Sequence, residues 1–298
     1  MACSSPEHAG GTTVETTNGV SVQVETSSLG LQGSVQGFAL RLGQAPAERL
    51  CVLSEGDTLV YAVLDSQVWV RLDSMDTQSV WDFQMWPDPQ RVCPVPDSSA
   101  VFASPDSAWW VQQDWGGERF DGASQHFSLG EVPGWPASYT LSAEFLLDSG
   151  VVAAEVLTVG NVVGFRVDHL GDRLGLYSYA SYEGTTNWTV LGAQLPLPEP
   201  TWVRIDMVVD SAKNSLALYH DGELWTETLL MGALAYDKLG QRIQVGVHAT
   251  GDDGFFRGNL GWVSVAATAR SADWIRLSAR QGRSGDGWVA QEIPLRDD

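Results

Sequence analysis

An all-β fold is predicted by three features of the sequence. Strand-like runs recur along most of the chain, helical periodicity is almost absent, and hairpin turn chemistry separates the runs. Composition agrees: 31 Gly, 13 Pro and 13 Trp in 298 residues favour turn-rich β structure with aromatic surface to spare.

In chain order, residues 1–18 form a Ser/Thr/Gly-rich, apolar-poor stretch of the kind that makes a flexible tether. Residues 19–25 alternate cleanly, with Val20, Val22 and Val24 on one face, and 35–42 follow after a Gly-containing turn. Residues 58–64 and 67–72, joined by Asp65-Ser66, predict a hairpin, and 79–86 an aromatic-rich strand. Together 19–86 predict a small β module. Pro87, Pro89, Pro94, Pro96 and Pro105, interleaved with Asp and Ser, mark 87–105 either as a connector between domains or as a long excursion over one compact body.

Beyond the connector come ten runs at roughly ten-residue spacing: 139–147, 151–159, 164–168, 173–179, 186–191, 201–210, 215–220, 222–229, 241–249 and 258–266. That spacing predicts a sandwich of antiparallel sheets over 106–282 rather than a parallel α/β sheet. Asp210 to Asn214 and the Asp221-Gly222 pair supply hairpin turns. One short helix is predicted, capped by Ser271 and followed by Gly282, with the Trp274 indole plugging the sandwich edge. The tail, 283–298, carries a last strand-like stretch at 287–295.

Charge narrows the function classes. Seventeen Lys+Arg against 37 Asp+Glu give a net charge of −20, so a basic nucleic-acid footprint is absent. No run of about 18 apolar residues exists to span a membrane as a helix. The 44% hydrophobic content is enough for a real core.

The usual catalytic signatures are missing: no Gly-x-Ser-x-Gly elbow, no His-Glu-x-x-His and no phosphate-binding loop. The five His residues lack metal-ligand spacing. Sugar hydrolysis needs two acids about 5–9.5 Å apart across the scissile bond. The nearest sequence approach, Glu55-Gly56-Asp57, lies in the first module, while Glu144 and Glu155 stand singly on separate runs. Calcium is the one metal to weigh, because Asp252 and Asp253 sit in a Gly-flanked acidic loop; the alternative is a solvated turn.

Aromatic clusters are the remaining candidates, since sugar C–H faces stack on Trp and Tyr while polar neighbours accept hydroxyl hydrogen bonds. Tyr177, Tyr179, Tyr182, Asn187 and Trp188 combine rings with polar partners. Trp109, Trp110 and Trp115 form a second cluster, and Trp135 stands on a loop. For each cluster the alternative is that the rings fill the core or a domain junction.

Three segments together resemble the laminin-G-like, concanavalin A-like jelly-roll domains of bacterial surface proteins. They are Arg119-Phe120-Asp121-Gly122 running on to Tyr139-Thr140-Leu141-Ser142-Ala143; Trp202-Val203-Arg204-Ile205-Asp206 with Leu218-Tyr219-His220-Asp221-Gly222; and Phe256-Arg257-Gly258 through Ala269-Arg270-Ser271-Ala272-Asp273-Trp274-Ile275. The family's usual Asp-Glu before Val is replaced by Gly261-Trp262, so no role of those acids carries over. The resemblance implies a jelly-roll β-sandwich over 106–282. It also implies non-catalytic binding of a polysaccharide at the cell surface, with a structural or assembly protein docking a protein partner as the alternative, and a glycoside hydrolase behind both.

Met1-Ala2-Cys3-Ser4-Ser5 and the stretch after it resemble the lipidated start of Gram-negative surface lipoproteins. This implies an outer-membrane or cell-surface location with the membrane reached through lipid on Cys3; the alternative is that Met1 is a native start and Cys3 is incidental. Cys51 and Cys93 then remain as an even pair in an oxidising compartment, to form a disulfide or to stand as two buried thiols.

Overall fold

A computed structural model describes residues 20–25, 35–44, 50–54, 57–59, 61–64, 67–75, 80–87, 110–131, 136–148, 153–160, 162–170, 173–183, 188–193, 202–235, 242–282 and 292–294. The chain divides into two compact units, Met1–Pro105 with Arg283–Asp298, and Asp106–Gly282.

The first unit contains β1 (Val20–Glu25), β2 (Val35–Gln44), β3 (Leu50–Ser54), β4 (Asp57–Thr58), β5 (Tyr61–Leu64), β6 (Gln67–Met75) and β7 (Val80–Pro87). The predicted hairpin is present: Leu64 pairs with Gln67 across Asp65-Ser66. Leu50, Val52 and Ser54 on β3 are buried, and the Leu50 N–H donates to the Tyr61 hydroxyl at 3.0 Å. The last strand of the chain, numbered β20 below (Glu292–Pro294), pairs antiparallel with β1, joining Val20 to Pro294 and Val22 to Glu292. The C-terminal segment therefore completes the first unit, whose sheets run β20-β1-β7-β3-β4 and β2-β6-β5.

The second unit is a jelly-roll sandwich inserted between those two parts of the first. Its strands are β8 (Trp110–Asp121), β9 (Phe127–Glu131), β10 (Tyr139–Leu147), β11 (Ala153–Val159), β12 (Val163–Leu170), β13 (Arg173–Ser181) and β14 (Trp188–Ala193), then β15 (Trp202–Asp210), β16 (Ser215–His220), β17 (Glu223–Leu229), β18 (Arg242–Val245) and β19 (Arg257–Ala266). They form a helix-bearing sheet, β17-β16-β15-β10-β19-β8, and a second sheet, β14-β13-β12-β11-β18-β9. Alternation decides which side chains enter the core. Leu141, Ala143 and Phe145 from β10, with Val203, Ile205 and Met207 from β15, meet Phe165 and Val167 of β12 and Val245 of β18. Phe256 sits edge-on between Phe120 and Phe145, each centroid 5.8 Å away.

Local turn chemistry follows the sequence. Asp221 and Gly222 both have positive φ, 51° and 87°, as a two-residue hairpin between β16 and β17 requires. The Asp121 carboxylate accepts the N–H groups of Ala123, Ser124 and Gln125, which holds its proton affinity well below the usual carboxylate range and fixes the bend after β8.

Helix α1 (Ala272–Gly282) is capped by Ser271, whose Oγ accepts from the Trp274 N–H at 3.2 Å. It corrects the expected edge plug. Arg204 on β15 donates to the Ser278 carbonyl and hydroxyl, both at 2.8 Å, and the β16–β17 turn at Gly222 lies against Arg276 and Ala279. The helix thus lies over the outer face of its sheet, burying Trp274, Ile275 and Leu277. An amphipathic pattern specifies which helix face is buried but not which surface receives it.

Candidate functional site

With one outer face of the sandwich occupied by α1, the outer face of the other sheet is where a site can form. On β11 and β12, Ala154, Leu157, Phe165 and Val167 point into the core, so Glu155, Thr158, Arg166 and Asp168 belong to the opposite face. Gln244 joins them from β18, opposite Thr158. Register extends the face across β13 and β14. Tyr177 pairs with Arg166, Tyr179 with Gly164, and Trp188 with Ser181, so positions 177, 179 and 188 share the face of Arg166.

Three charged side chains are joined at its centre. Arg166 donates from Nη1 to Glu155 Oε1 at 2.8 Å and from Nε to Asp168 Oδ2 at 3.1 Å. Glu155 is 1% exposed although it stands on an outer face. The cover is the loop 248–254. Glu155 N–H donates to the Gly254 carbonyl at 2.8 Å, and a Cβ on Gly254 would lie 3.2 Å from Glu155 Cγ. Gly254 has φ +63°, so the close approach and the backbone conformation both favour glycine there. Burial pushes the Glu155 carboxyl up to about 7, against the opposing pull of Arg166, and the Asp253 charge adds to the rise. Glu155 Oε2 and Gln244 Oε1 are buried acceptors without a hydrogen-bond partner.

The structure distributes the sequence candidates unevenly. Tyr177, Tyr179 and Trp188 fall on this one face by register. Tyr182 does not: it is 2% exposed, bridges to Leu234 and belongs to the hydrophobic core, which corrects the expectation that it contacts ligand. Its ring is drawn inward because Ser181 and Glu183 are tied to Ala235 and Ala233 by backbone hydrogen bonds. Asn187, Trp135, Cys3 and Cys93 lie outside the described residues, as does Trp109. Trp110 and Trp115 belong to β8, paired with β19. Asp252 accepts from the Thr250 hydroxyl, and Asp253 faces His248 Nδ1 at 3.3 Å. Among the described residues no group of three or more His, Cys, Asp or Glu side chains is arranged to hold a metal ion.

Sequence reasoning missed the Glu155–Arg166–Asp168 triad and Gln244. Two signals were present: Arg166 and Asp168 occupy alternate positions among the apolar residues of β12, and Glu155 interrupts an apolar run. Their meeting, however, depends on strand register.

Comparison with known proteins gives a family and a set of fold likenesses. The model of the Concanavalin A-like lectin/glucanases superfamily matches residues 120–276, just over half of the chain. No curated protein matches the chain. Among solved structures it is similar to the CBM40 of the Ruminococcus gnavus IT-sialidase, at 15% identity and a TM-score of 0.48, covering 57% of this chain and 98% of that one. NanB sialidase from Streptococcus pneumoniae is similar at 11% identity and a TM-score of 0.45, over 56% of this chain and 27% of that one. The SAP-like pentraxin from Limulus polyphemus is similar at 13% identity and a TM-score of 0.40, over 60% and 90%.

Proposed function

Because this chain belongs to the concanavalin A-like lectin/glucanases superfamily, we propose that it is a non-catalytic carbohydrate-binding protein whose ligand, a polysaccharide, lies on the outer face of the sheet β14-β13-β12-β11-β18-β9. One observation carries the reading. Strand register gives positions 177, 179 and 188 the same face as Arg166, Asp168 and Gln244. Stacking rings beside fixed polar groups are what sugar recognition needs.

The non-catalytic part rests on Glu155. A hydrolytic acid has to reach the glycosidic oxygen, whereas Glu155 is buried beneath the loop at Gly254 and bonded to Arg166. A surface location with lipid on Cys3 belongs to the same proposal and is supported by the resemblance of the N-terminal segment to lipoprotein starts. Affinity electrophoresis of the purified chain through a panel of polysaccharides tests the binding reading. Retardation by at least one, weakened tenfold or more by Trp188→Ala, is expected; no retardation by any overturns it.

A second reading, docking of a protein partner, is favoured by exposed apolar side chains on and after the edge strand β17. Leu224, Leu229 and Met231 are 54%, 66% and 72% exposed. Co-elution of a surface protein that Leu229→Asp abolishes and Trp188→Ala spares would favour it.

A further inference from the structure

The arrangement around Arg166 bears on which class of carbohydrate the face accepts. An unengaged arginine in a sugar site is a fork for a carboxylate. Arg166 is already engaged on two edges, by Glu155 through Nη1 and by Asp168 through Nε. Asp253, from the loop above, adds a third negative group near Glu155, and Asp252 stands beside it. His248, the other titratable group of that loop, is directed towards Thr250 and Asp253. At the far end of the face Arg242 has interactions of its own, and its position pairs with Glu131.

We propose that the face selects an uncharged polysaccharide and excludes acidic ones, because Glu155 and Asp168 neutralise the arginine that an acidic sugar would need. This inference rests on the carbohydrate-binding reading above and extends it to ligand class. Neutral sugars carry no charge for these carboxylates to repel. Uronic or sialic acids meet an acidic surface on a chain of net charge −20.

The experiment separates failure of the inference from failure of the reading. The full chain is titrated at pH 7.5 and low salt against neutral probes (mixed-linkage β-glucan, xylan, galactomannan) and acidic ones (polygalacturonate, alginate, sialyllactose). Binding to a neutral probe, at least tenfold tighter than to any acidic one and weakened about fivefold or more in Trp188→Ala or Tyr177→Ala, is the expected result. Binding to an acidic probe as tight as to the neutral ones overturns the inference and leaves the carbohydrate reading standing. Binding to none overturns the reading itself, and the inference with it. The double variant Glu155→Gln/Asp168→Asn, checked for folding by its thermal melt, is expected to gain at least fivefold in affinity for polygalacturonate. If that variant folds and gains nothing, the exclusion does not arise from the partners of Arg166.

Discussion

The Arg204 guanidinium donates through Nε and Nη2 to the carboxylate of Asp206, two residues along β15, at 3.0 and 2.9 Å. The side chains are 3% and 0% exposed, so the pair is sealed beneath α1, where the remaining arginine donors meet Ser278. Removing one charge leaves the other buried without compensation, which costs about 3–5 kcal/mol. Asp206→Asn is therefore expected to destabilise the jelly roll by about that amount in urea denaturation. The paired change Arg204→Met/Asp206→Leu should recover most of the loss. A single-variant cost below about 1 kcal/mol would show that the pair is not buried in solution.

Glu155 makes stability depend on pH. Its folded-state value of about 7 stands above the ordinary 4.5, so the folded protein holds this proton more tightly than the unfolded chain. The resulting stabilisation is full below about pH 4.5 and is lost as pH rises through 7, with a span on the order of 3 kcal/mol. Unfolding free energies of wild type and Glu155→Gln between pH 4.5 and 8 should diverge by up to that amount, the wild type losing ground as pH rises. Parallel curves would mean that Glu155 is solvated and titrates normally.

Much of the fold was legible because alternation is a local signal. β10, β15 and β16 could be bounded to within a residue from valine, leucine and isoleucine spacing, and the β16–β17 hairpin from Asp221-Gly222. Three strands, β3, β8 and the five-residue β9, were not. β3 is short, and its Cys51 and Ser54 obscure the pattern. β8 contains Gly116-Gly117 among tryptophans, reads as a loop with an aromatic cluster, and is held in place by a long pairing with β19. The site was half legible for the same reason. Parity gave Tyr177 and Tyr179 a common face, but only cross-strand register could bring Arg166 between Glu155 and Asp168. Nor could parity show that Tyr182 turns inward, which a bridge to Leu234, far along the chain, decides.

The pairing of β20 with β1 carries a consequence for truncation. Val20, Ser21 and Val22 lose their partners if residues 291–298 are deleted, and β1 becomes a sheet edge. The loss should lower the stability of the first unit by about 1–3 kcal/mol, at about 1 kcal/mol per ladder hydrogen bond. Differential scanning calorimetry should show an earlier transition for that unit and an unchanged one for Asp106–Gly282. A shift of both transitions together would mean that the two units unfold as one.

Cys51, on β3, is a disulfide cysteine. With Cys3 proposed to carry lipid, Cys93 is the proposed partner. The loop of roughly 40 residues so closed contributes about 4 kcal/mol in the chain-entropy model. Intact mass is expected to rise by about 2 Da on reduction. Cys93→Ser should destabilise the first unit by about that free energy; a free thiol on Cys51 in the native chain would end the proposal.

The short stretch from Tyr177 to Tyr182 offers a direct separation of site from core. Tyr182 fills the sandwich interior at 2% exposure, and truncating a ring of that size in a packed core costs about 3–5 kcal/mol. Position 177 lies across from Arg166 on the face opposite the core. Tyr182→Ala should therefore lower the unfolding midpoint sharply, and the part that remains folded should still bind polysaccharide. Tyr177→Ala should leave the midpoint within about 0.5 kcal/mol of wild type while weakening binding by about 1 kcal/mol, the scale of one ring–sugar stack. Parallel urea and affinity-electrophoresis titrations read both quantities. The reverse pattern, with binding lost through Tyr182 and stability through Tyr177, would move the ligand off this face.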